Sequence, residues 1–441
     1  MAPQRVAITT EEAIQINLHV LNALFGTSPK QVGVRLWNGI LWPDEAPRPV
    51  VLALKHPGAL RAMFLPGTEL GLAEAYLFDD VDIVGELEPV FGLAESLLER
   101  ASDWRTRWRV MRDLLRLPKG GVQRTTPRGR AQLRGRRHSI ERDRAAIRYH
   151  YDVSNAFYQL WLDERMVYSC GYFRSPEDTL DVAQAQKLDY ICRKLRLRPG
   201  QRLLDIGCGW GGLVLWAAEH YGVDATGITL SEPQAELANR RIAAAGMADR
   251  CRVEVRDYRQ VPGEACYDAL VSVGMFEHVG EALLPEYFRR ARTLLRPGGP
   301  MLNHGIACRP RPAGRRRGAT LSASYVFPDG ELVPLSATLR AAEGAGFEVR
   351  DVESLREHYA RTLRHWVQRL EARHDEALQH VDEVTYRVWR LFMAGSAHGF
   401  TSGRLNVYQT LLVNPGPAGH SGQPLTREDW YRDHRRGATT P

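Results

Sequence analysis

The sequence predicts an α/β fold in which helices pack against a mostly parallel sheet. The apolar run at residues 203–206 ends in a cluster of glycines, and a helical pattern begins at Gly212. This is the pattern of a strand, a tight turn and a helix. Strand-like and helix-like segments then alternate over residues 148–300, as they do where helices join parallel strands. A Pro-Gly-Gly turn at 297–299 precedes the fifth candidate strand.

The individual elements follow from apolar periodicity and from turn residues. The candidate strands are residues 202–205, 224–228, 251–255, 269–273 and 301–304, with helices expected at 231–245, 282–295, 335–342 and 359–392 and a closing strand at 406–413.

Composition limits the class of protein. The 441 residues allow two or three domains, and no apolar run approaches the roughly 18 to 20 residues that span a bilayer. The N-terminus lacks the apolar core of a signal peptide, so we expect a cytoplasmic protein. The six cysteines form no CxxC pair, which argues against a disulfide framework and against a zinc site. No metal site is predicted.

Four regions are predicted along the chain. Residues 1–100 have the pattern of a small α/β accessory domain, with a helix at 11–24, strands at 32–37 and 50–54, and a helix through 88–98. Residues 101–147 form a basic, partly helical linker, residues 148–413 the catalytic domain, and residues 414–441 a polar tail.

The linker carries tryptophans between arginines. Trp104, Trp108, Val110, Leu114 and their apolar neighbours are spaced as in an amphipathic helix. With a net charge of +7 for the chain, this segment is suited to anionic lipid headgroups, at about 1 kcal/mol per basic residue. A solvated charged connector explains the same pattern, and the sequence leaves both interpretations open.

The glycine cluster indicates the cofactor. Gly207, Gly209 and Gly212 have the spacing G-x-G-x-x-G, which alone also fits a dinucleotide. A dinucleotide site requires an acid at the tip of the second strand for the ribose, but residues 227–231 read Gly-Ile-Thr-Leu-Ser. Together with the preceding Asp205, this favours S-adenosylmethionine (SAM). Asp257 follows the third strand and is a candidate contact to the adenine.

Further motifs occur in order through residues 148–413. They are HYDVSNAFY at 150–158, YSCGYF at 168–173, GITLS at 227–231 and SVGMFEHVG at 272–280. With them the chain closely resembles the cyclopropane-fatty-acyl-phospholipid synthase family, which is related to the mycolic acid cyclopropane synthases. The resemblance implies a class I SAM-dependent methyltransferase fold, Rossmann-like with a mostly parallel seven-stranded sheet, and a smaller N-terminal α/β accessory domain.

The resemblance also implies the reaction and its residues. In that family the SAM methyl is transferred to a cis double bond of a phospholipid acyl chain, and the resulting carbocation loses a proton to bound bicarbonate and closes to a cyclopropane ring. The bicarbonate site maps to Cys170, Glu277, His304, the backbone of Ile306 and Tyr359. The SAM contacts map to Tyr168, Ser169, Gly207, Gly209, Leu230, Gln234, Asp257 and Tyr258, and the glycine loop adds Asp205 and Gly211.

Two questions of charge stay open at this stage. Glu277, at a strand tip, is suited to act as the base itself as well as to hold bicarbonate. Two adjacent anions repel each other, so Glu277 and the bicarbonate share a proton, or His304 is charged.

Competing functions remain. A fatty-acyl C-methyltransferase that leaves a methylene or methyl branch shares every step up to the cation and differs in the loss of the proton. A non-catalytic lipid-binding protein is the third possibility. Nucleic acid is not an expected partner, because the base-flipping motif Asn/Asp-Pro-Pro-Tyr/Phe is absent. The expected partner is unsaturated phospholipid at the anionic inner face of the membrane, and the family resemblance implies a homodimer.

Overall fold

A computed structural model describes residues 8–26, 32–93, 104–120, 129–131, 133–151, 153–310 and 320–431. Its internal contacts divide the chain into two compact units. The first comprises Met1–Ala131, Ala313–Val326 and Leu370–His398, and the second comprises Gln132–Pro312, Phe327–Arg369 and Gly399–Pro441. The boundaries predicted at residues 100, 147 and 413 follow the chain in order, whereas each unit combines segments that are far apart in sequence.

The first unit contains a four-stranded sheet in the order β2-β1-β3-β4. β1 (Val32–Arg35) and β3 (Val50–Leu54) are parallel, and the edge strands β2 (Leu41–Trp42) and β4 (Val81–Gly85) are antiparallel to them. The helices are α1 (Thr10–Phe25), α2 (Ala59–Phe64), α3 (Glu69–Leu77), α4 (residues 88–93) and α5 (Trp104–Arg116). The helix and strands predicted before residue 60 are confirmed. Of the helix predicted over 88–98, residues 94–98 lie outside the described part.

Helix α5 confirms the helix expected in the basic segment, and only part of its apolar arc is buried. Val110 and Leu114 are buried, whereas the side chains of Trp104 and Trp108 are exposed. The predicted amphipathic helix is therefore confirmed, with one part of its apolar arc packed within the first unit and the other part at the surface.

The second unit contains a seven-stranded sheet in the order β10-β11-β9-β8-β5-β6-β7. The strands are β5 (Arg202–Ile206), β6 (Asp224–Thr229), β7 (Cys251–Val255), β8 (Ala269–Val273), β9 (Pro300–Cys308), β10 (Glu348–Ser354) and β11 (Leu405–Val413). Strands β5 to β9 are parallel, and β11 runs antiparallel to both β9 and β10. The predicted α/β fold with a mostly parallel seven-stranded sheet is confirmed.

Helices flank this sheet. In chain order they are α6 (Ile140–Tyr151), α7 (Asn155–Gln159), α8 (Leu180–Lys194), α9 (Gly212–Tyr221), α10 (Glu232–Ala244), α11 (Leu284–Leu294), α12 (Leu335–Gly344), α13 (Arg356–Ala372), α14 (His374–Ala377), α15 (Glu383–Thr401) and α16 (Glu428–Tyr431), of which α14 lies in the first unit and α13 and α15 cross the boundary between units. In the described part of the chain, none of them combines the length and apolar composition needed to span a membrane.

The central strand β5 determines where a ligand can bind. Leu203, Leu204 and Ile206 are each at most 2% exposed, as expected for a strand covered on both faces. β5 pairs with β6 on one side and with β8 on the other. The order of the strands in the sheet reverses at β5. In open α/β sheets, ligands bind at the carboxyl ends of the strands where this reversal occurs.

The structure differs from the sequence predictions at two elements. The long helix expected at 359–392 is wrong: α13 ends at Ala372, Arg373 leaves helical geometry (φ −121°, ψ 35°), and the Asp382 carboxylate accepts the Thr385 N–H (2.7 Å) at the start of α15. Strand β10 was not predicted, since its sequence EVRDVES alternates without a strongly apolar face and it lies at the sheet edge.

Candidate active site

A cavity opens at the carboxyl ends of β5, β6, β7 and β8. Nine of the ten residues predicted to contact the cofactor line it together, although they come from four separate stretches of the chain. They are Tyr168, Ser169, Asp205, Gly207, Gly209, Leu230, Gln234, Asp257 and Tyr258.

The glycine loop shapes one wall of this cavity. The N–H groups of Gly207 and Cys208 both donate to the carbonyl of Ile228 (2.9 and 3.0 Å), which ties the loop to β6. A Cβ at Gly207 would lie 2.5 Å from the Cβ of Met275. Gly209 has φ +54°, and a Cβ there would meet no atom of the described residues within 4 Å. A side chain at Gly209 would therefore extend into open space of the cavity.

Gly211, the tenth predicted residue, does not line the cavity. It has φ +75° at the N-cap of α9, and a Cβ there would lie 3.0 Å from the Cβ of Ala238. Gly211 is needed for a left-handed turn and for the close packing of α9 on α10, so its assignment as a cofactor contact is corrected.

Two buried polar atoms of the cavity lining lack hydrogen-bond partners among the described residues. They are Oδ1 of Asp205 and Nε2 of Gln234. The Gln234 oxygen accepts the Thr229 hydroxyl (2.8 Å), which leaves the amide N–H groups available. Burial raises the pKa of Asp205 to about 7. Buried polar atoms are normally paired, so an orphaned donor and acceptor beside the open space at Gly209 fit a polar cofactor such as SAM.

The Asp257 carboxylate is already occupied. Both of its oxygens accept hydrogen bonds from Arg259 (2.7 Å from Nε and from Nη2), and Arg259 also contacts Asp143 (2.9 Å). Arg259 and Asp143 line the same cavity. Sequence reasoning missed both, because one is two residues beyond the predicted contact and the other lies in the basic linker. Asp257 is thus a structural anchor of this wall.

Lys187 is a further residue of the cavity that sequence reasoning missed. Its side chain from α8 is 1% exposed, and its Nζ donates to the Ser169 hydroxyl (2.9 Å). Burial lowers the pKa of Lys187 to about 8, opposed by the charges of Asp163, Cys170 and Asp205. A lysine in a polar helical segment gives no sequence signal, since only the fold turns it inward.

Glu277 belongs to a second group of predicted residues. It lies in a short 3-10 turn after β8, and its Oε1 accepts the Ile306 N–H (2.8 Å). Its Oε2 has no hydrogen-bond partner within the described ranges. Burial raises the pKa of Glu277 to about 7. Glu277 and Ile306 are therefore in direct contact.

His304 enters the sheet interior from β9. Its Nδ1 lies 3.2 Å from Nε2 of Gln409, the residue opposite it on β11, and its Nε2 is unpaired among the residues described here. Burial, together with the charges of Lys187 and Lys194, holds the pKa of His304 well below its usual range. These surroundings favour a neutral His304 over a charged one, and Glu277 is the group that can carry a proton near neutral pH.

Cys170 and Tyr359 complete this group. Cys170 is fully buried, and its thiol donates to the Gly171 carbonyl (3.2 Å). Burial raises the pKa of Cys170, so the thiol stays protonated and is no nucleophile. Burial also raises the pKa of Tyr359, and the charges of Cys170 and Glu277 add to that shift. The structure thus brings a hydroxyl, a thiol and a carboxyl group together.

Aromatic rings pack beside these polar groups. Trp366 lies 5.2 Å from the ring of Tyr168, 5.5 Å from Trp161 and 6.0 Å from Tyr359, measured between ring centroids. Tyr168 lines the cofactor cavity and also packs 6.3 Å from Tyr151. Such faces stabilise a nearby cation by about 0.5 to 2 kcal/mol each.

Comparison with known proteins agrees with this geometry. Residues 138–410 match the family described as mycolic acid cyclopropane synthetase. A probable fatty acid methyltransferase from Pseudomonas putida is 42% identical over 403 residues, covering 90% of this chain and 96% of the relative. Tuberculostearic acid methyltransferase UfaA1 of Mycobacterium tuberculosis is 37% identical over 385 residues, covering 84% and 85%.

Solved structures extend the comparison to the fold. The cyclopropane synthase MmaA2 from Mycobacterium tuberculosis is 32% identical with a TM-score of 0.58, covering 61% of this chain and 97% of that one. The mycolic acid cyclopropane synthase CmaA1, solved with SAH and CTAB, is 34% identical with a TM-score of 0.58 and the same coverage. The chain belongs to the mycolic acid cyclopropane synthetase family and is a SAM-dependent methyltransferase.

Proposed function

We propose that the protein transfers the methyl carbon of SAM to the cis double bond of an unsaturated phospholipid acyl chain and closes a cyclopropane ring. Three observations support this proposal. Glu277 accepts a hydrogen bond from the Ile306 N–H, Tyr359 interacts electrostatically with Glu277 and Cys170, and the buried Nε2 of His304 has no partner among the described residues. Together they supply polar groups that can take up a proton, in the unit that also carries aromatic faces suited to a cation.

The reaction has two requirements, which are orientation of the alkene and removal of a proton. An alkene is a weak nucleophile, so it has to be held in line with the methyl group, and orientation of this kind contributes up to roughly 7 to 11 kcal/mol. After transfer the acyl chain carries a positive charge. Ring closure breaks a C–H bond of the transferred methyl while a C–C bond forms to the cationic carbon, so one proton has to leave.

The polar group is suited to receive that proton. Bicarbonate, when bound, supplies a base there, and the residues that would hold it are Tyr359, His304 and Glu277. The unpaired Oε2 of Glu277 and Nε2 of His304 fit such a ligand. A pKa of about 7 for Glu277 lets its carboxyl group share a proton with a second anion, which removes the repulsion between two adjacent charges.

A second candidate is a fatty-acyl methyltransferase that leaves a methylene branch. Relatives that cover most of this chain support it, since the Pseudomonas putida and UfaA1 proteins are named fatty acid and tuberculostearic acid methyltransferases. Both reactions add the same mass and pass through a cation. They differ in whether the released proton leaves a ring or a carbon–carbon double bond.

The test is incubation of the purified protein with SAM and mixed unsaturated phospholipids, followed by NMR of the released acyl chains. Ring protons upfield of the chain methylenes support cyclopropane formation, and new olefinic protons support the branch. The Glu281→Gln variant, exposed on the next turn, is the matched control for Glu277→Gln. Binding of lipid without any SAM-dependent product would contradict both enzymatic proposals.

A further inference from the structure

Two tryptophans stand apart from the other eight in this chain. Trp104 is 70% exposed and Trp108 is 65% exposed, whereas every other tryptophan is buried or half-buried. Both lie on helix α5. Tryptophan removes a large apolar area from water when it is covered, so two exposed indoles one turn apart indicate a surface with a further binding partner.

The exposed residues form a continuous line on the helix. Trp104, Trp108, Met111 and Leu115 follow one another at spacings of four, three and four residues, and Met111 and Leu115 are each 44% exposed. Residues at these spacings share one side of a helix, over a length of about 16 Å. We call these four residues the apolar ridge.

Another side of α5 is buried within the first unit. Val110 and Leu114 are 7% and 2% exposed. Asp113, the one acidic residue of the helix, is also buried. Its Oδ2 lies 2.6 Å from Nδ1 of His19, and its Oδ1 lies 3.5 Å from Nε of Arg112. Packing among the described residues of the first unit therefore fixes the orientation of α5 and leaves the apolar ridge exposed.

Arginines run beside the ridge. Arg105, Arg109, Arg112 and Arg116 each follow a ridge residue by one position and are exposed, so they form a second row about 100° around the helix. The guanidinium of Arg105 lies 5.5 Å from the ring centroid of Trp104. The exposed surface of α5 thus combines indole, thioether and aliphatic groups with cations and carries no acid.

We propose that α5 lies in the headgroup region of an anionic bilayer, with the apolar ridge inserted between the lipids and the arginine row against their phosphates. Indole rings favour the boundary between headgroups and acyl chains, and a basic helix with an apolar face binds in the plane of that boundary. The proposal rests on the proposed function in that a phospholipid substrate brings the enzyme to a membrane.

Charge complementarity separates a bilayer from the other possible occupants. A second copy of the chain would bring one arginine row against another, with like charges facing. A solvated connector explains the arginines, but it does not explain why both exposed tryptophans lie in one line with Met111 and Leu115. Only an anionic, partly apolar partner satisfies both rows at once.

The experiment is flotation of the full chain, without SAM, with vesicles of phosphatidylglycerol and phosphatidylcholine or of phosphatidylcholine alone, together with tryptophan fluorescence. We expect tighter binding to the anionic vesicles, weakening with salt, and a blue-shifted emission on binding. Trp104→Ser/Trp108→Ser removes the ridge indoles, and Val182→Ser/Leu378→Ser removes two exposed apolar residues elsewhere. Arg105→Gln/Arg109→Gln is paired with Arg198→Gln/Arg240→Gln, which changes the net charge equally.

The ridge variant and the arginine variant should each weaken binding to anionic vesicles by about tenfold or more, while the two controls stay near the parent. Equal binding by all variants would overturn the proposal. So would loss of a dimer in light scattering by the ridge variant with vesicle binding unchanged. Turnover of a detergent-dispersed substrate separates the two proposals. A parent protein that binds vesicles but forms no product contradicts the enzymatic function and still supports the membrane-binding surface, and turnover by the ridge variant shows that the surface acts apart from catalysis.

Discussion

Replacing Glu277 by glutamine tests the site most directly, because it removes a charge and leaves the shape almost unchanged. The pKa of this carboxyl group rises from 4.5 to about 7 in the folded protein. Each pKa unit corresponds to about 1.4 kcal/mol, so ionising Glu277 costs the fold about 3 kcal/mol. The cause is burial at 8% exposure with one carboxylate oxygen unpaired among the described residues.

The sign of the pH dependence follows from linkage. The unfolded chain releases this proton near pH 4.5 and the folded chain near pH 7, so stability falls as pH rises between these values. We expect the free energy of unfolding of the parent to drop by about 3 kcal/mol more than that of Glu277→Gln from pH 4.5 to about pH 8. Chemical denaturation followed by tryptophan fluorescence measures both.

The catalytic activity of Glu277→Gln should fall, although the variant gains stability relative to the parent at high pH. Loss of a proton-handling group lowers kcat by about 10²- to 10⁴-fold, whereas the affinity for SAM should stay unchanged in calorimetry, because Glu277 does not line the cofactor cavity. The exposed Glu281→Gln variant serves as control for both measurements. Parallel stability curves for parent and Glu277→Gln, or unchanged turnover, would refute the assignment.

Three further substitutions probe the cavity and the sheet. Gly209→Val should abolish SAM binding in calorimetry, since φ is +54° and the side chain would fill the cavity. Gly305→Ala places a Cβ 1.8 Å from a ring carbon of Phe276; we expect a loss of about 1 to 3 kcal/mol in stability and lower turnover, because Phe276 adjoins the catalytic turn. Lys187→Met removes the amine that contacts Ser169 and whose charge lowers the pKa of Asp205. The pKa of Asp205 should therefore rise in this variant, and SAM should bind more weakly at pH 6.5 than at pH 8.5.

Matched variants separate these effects from general damage. Gly246→Val also has positive φ (+70°) and open space around its Cβ, and it should bind SAM normally. Gly344→Ala is the matched control for Gly305→Ala, and the exposed Lys119→Met is the matched control for Lys187→Met. Normal SAM affinity in Gly209→Val, an unchanged melting temperature in Gly305→Ala, or pH-independent affinity in Lys187→Met would each contradict the corresponding argument.

The local sequence predicted the sheet well, because fully buried parallel strands are short apolar runs with turns at their ends. The strand predicted at 251–255 and the strand predicted at 269–273 have the observed bounds, and the apolar run before Gly207 becomes β5. The break in the helix predicted over 359–392 was missed, because Arg373 carries no breaker signal and the geometry there depends on packing.

Site residues divide in the same way. Gly207 and Gly209 lie at a strand–helix junction, where motif spacing alone indicates contact with a ligand, whereas Gln234 was predicted from the family resemblance. Gly211 has the same signature but packs against α10, a distinction that depends on which way the turn faces. Lys187 and Arg259 carry no signature, since a buried cation is recognised only once its partners are known.

What the sequence determines by itself is the order of strands and helices, the glycine turn and the family motifs, because these depend on residues close together in the chain. Tertiary structure alone decides which proton-carrying group is charged. Glu277 and His304 are 27 positions apart in chemically ordinary surroundings, yet burial raises the pKa of one and lowers that of the other. Desolvation and the field of Lys187 exist only after the chain has folded around them. The same holds for α5, where packing buries one side and leaves Trp104 and Trp108 facing outward.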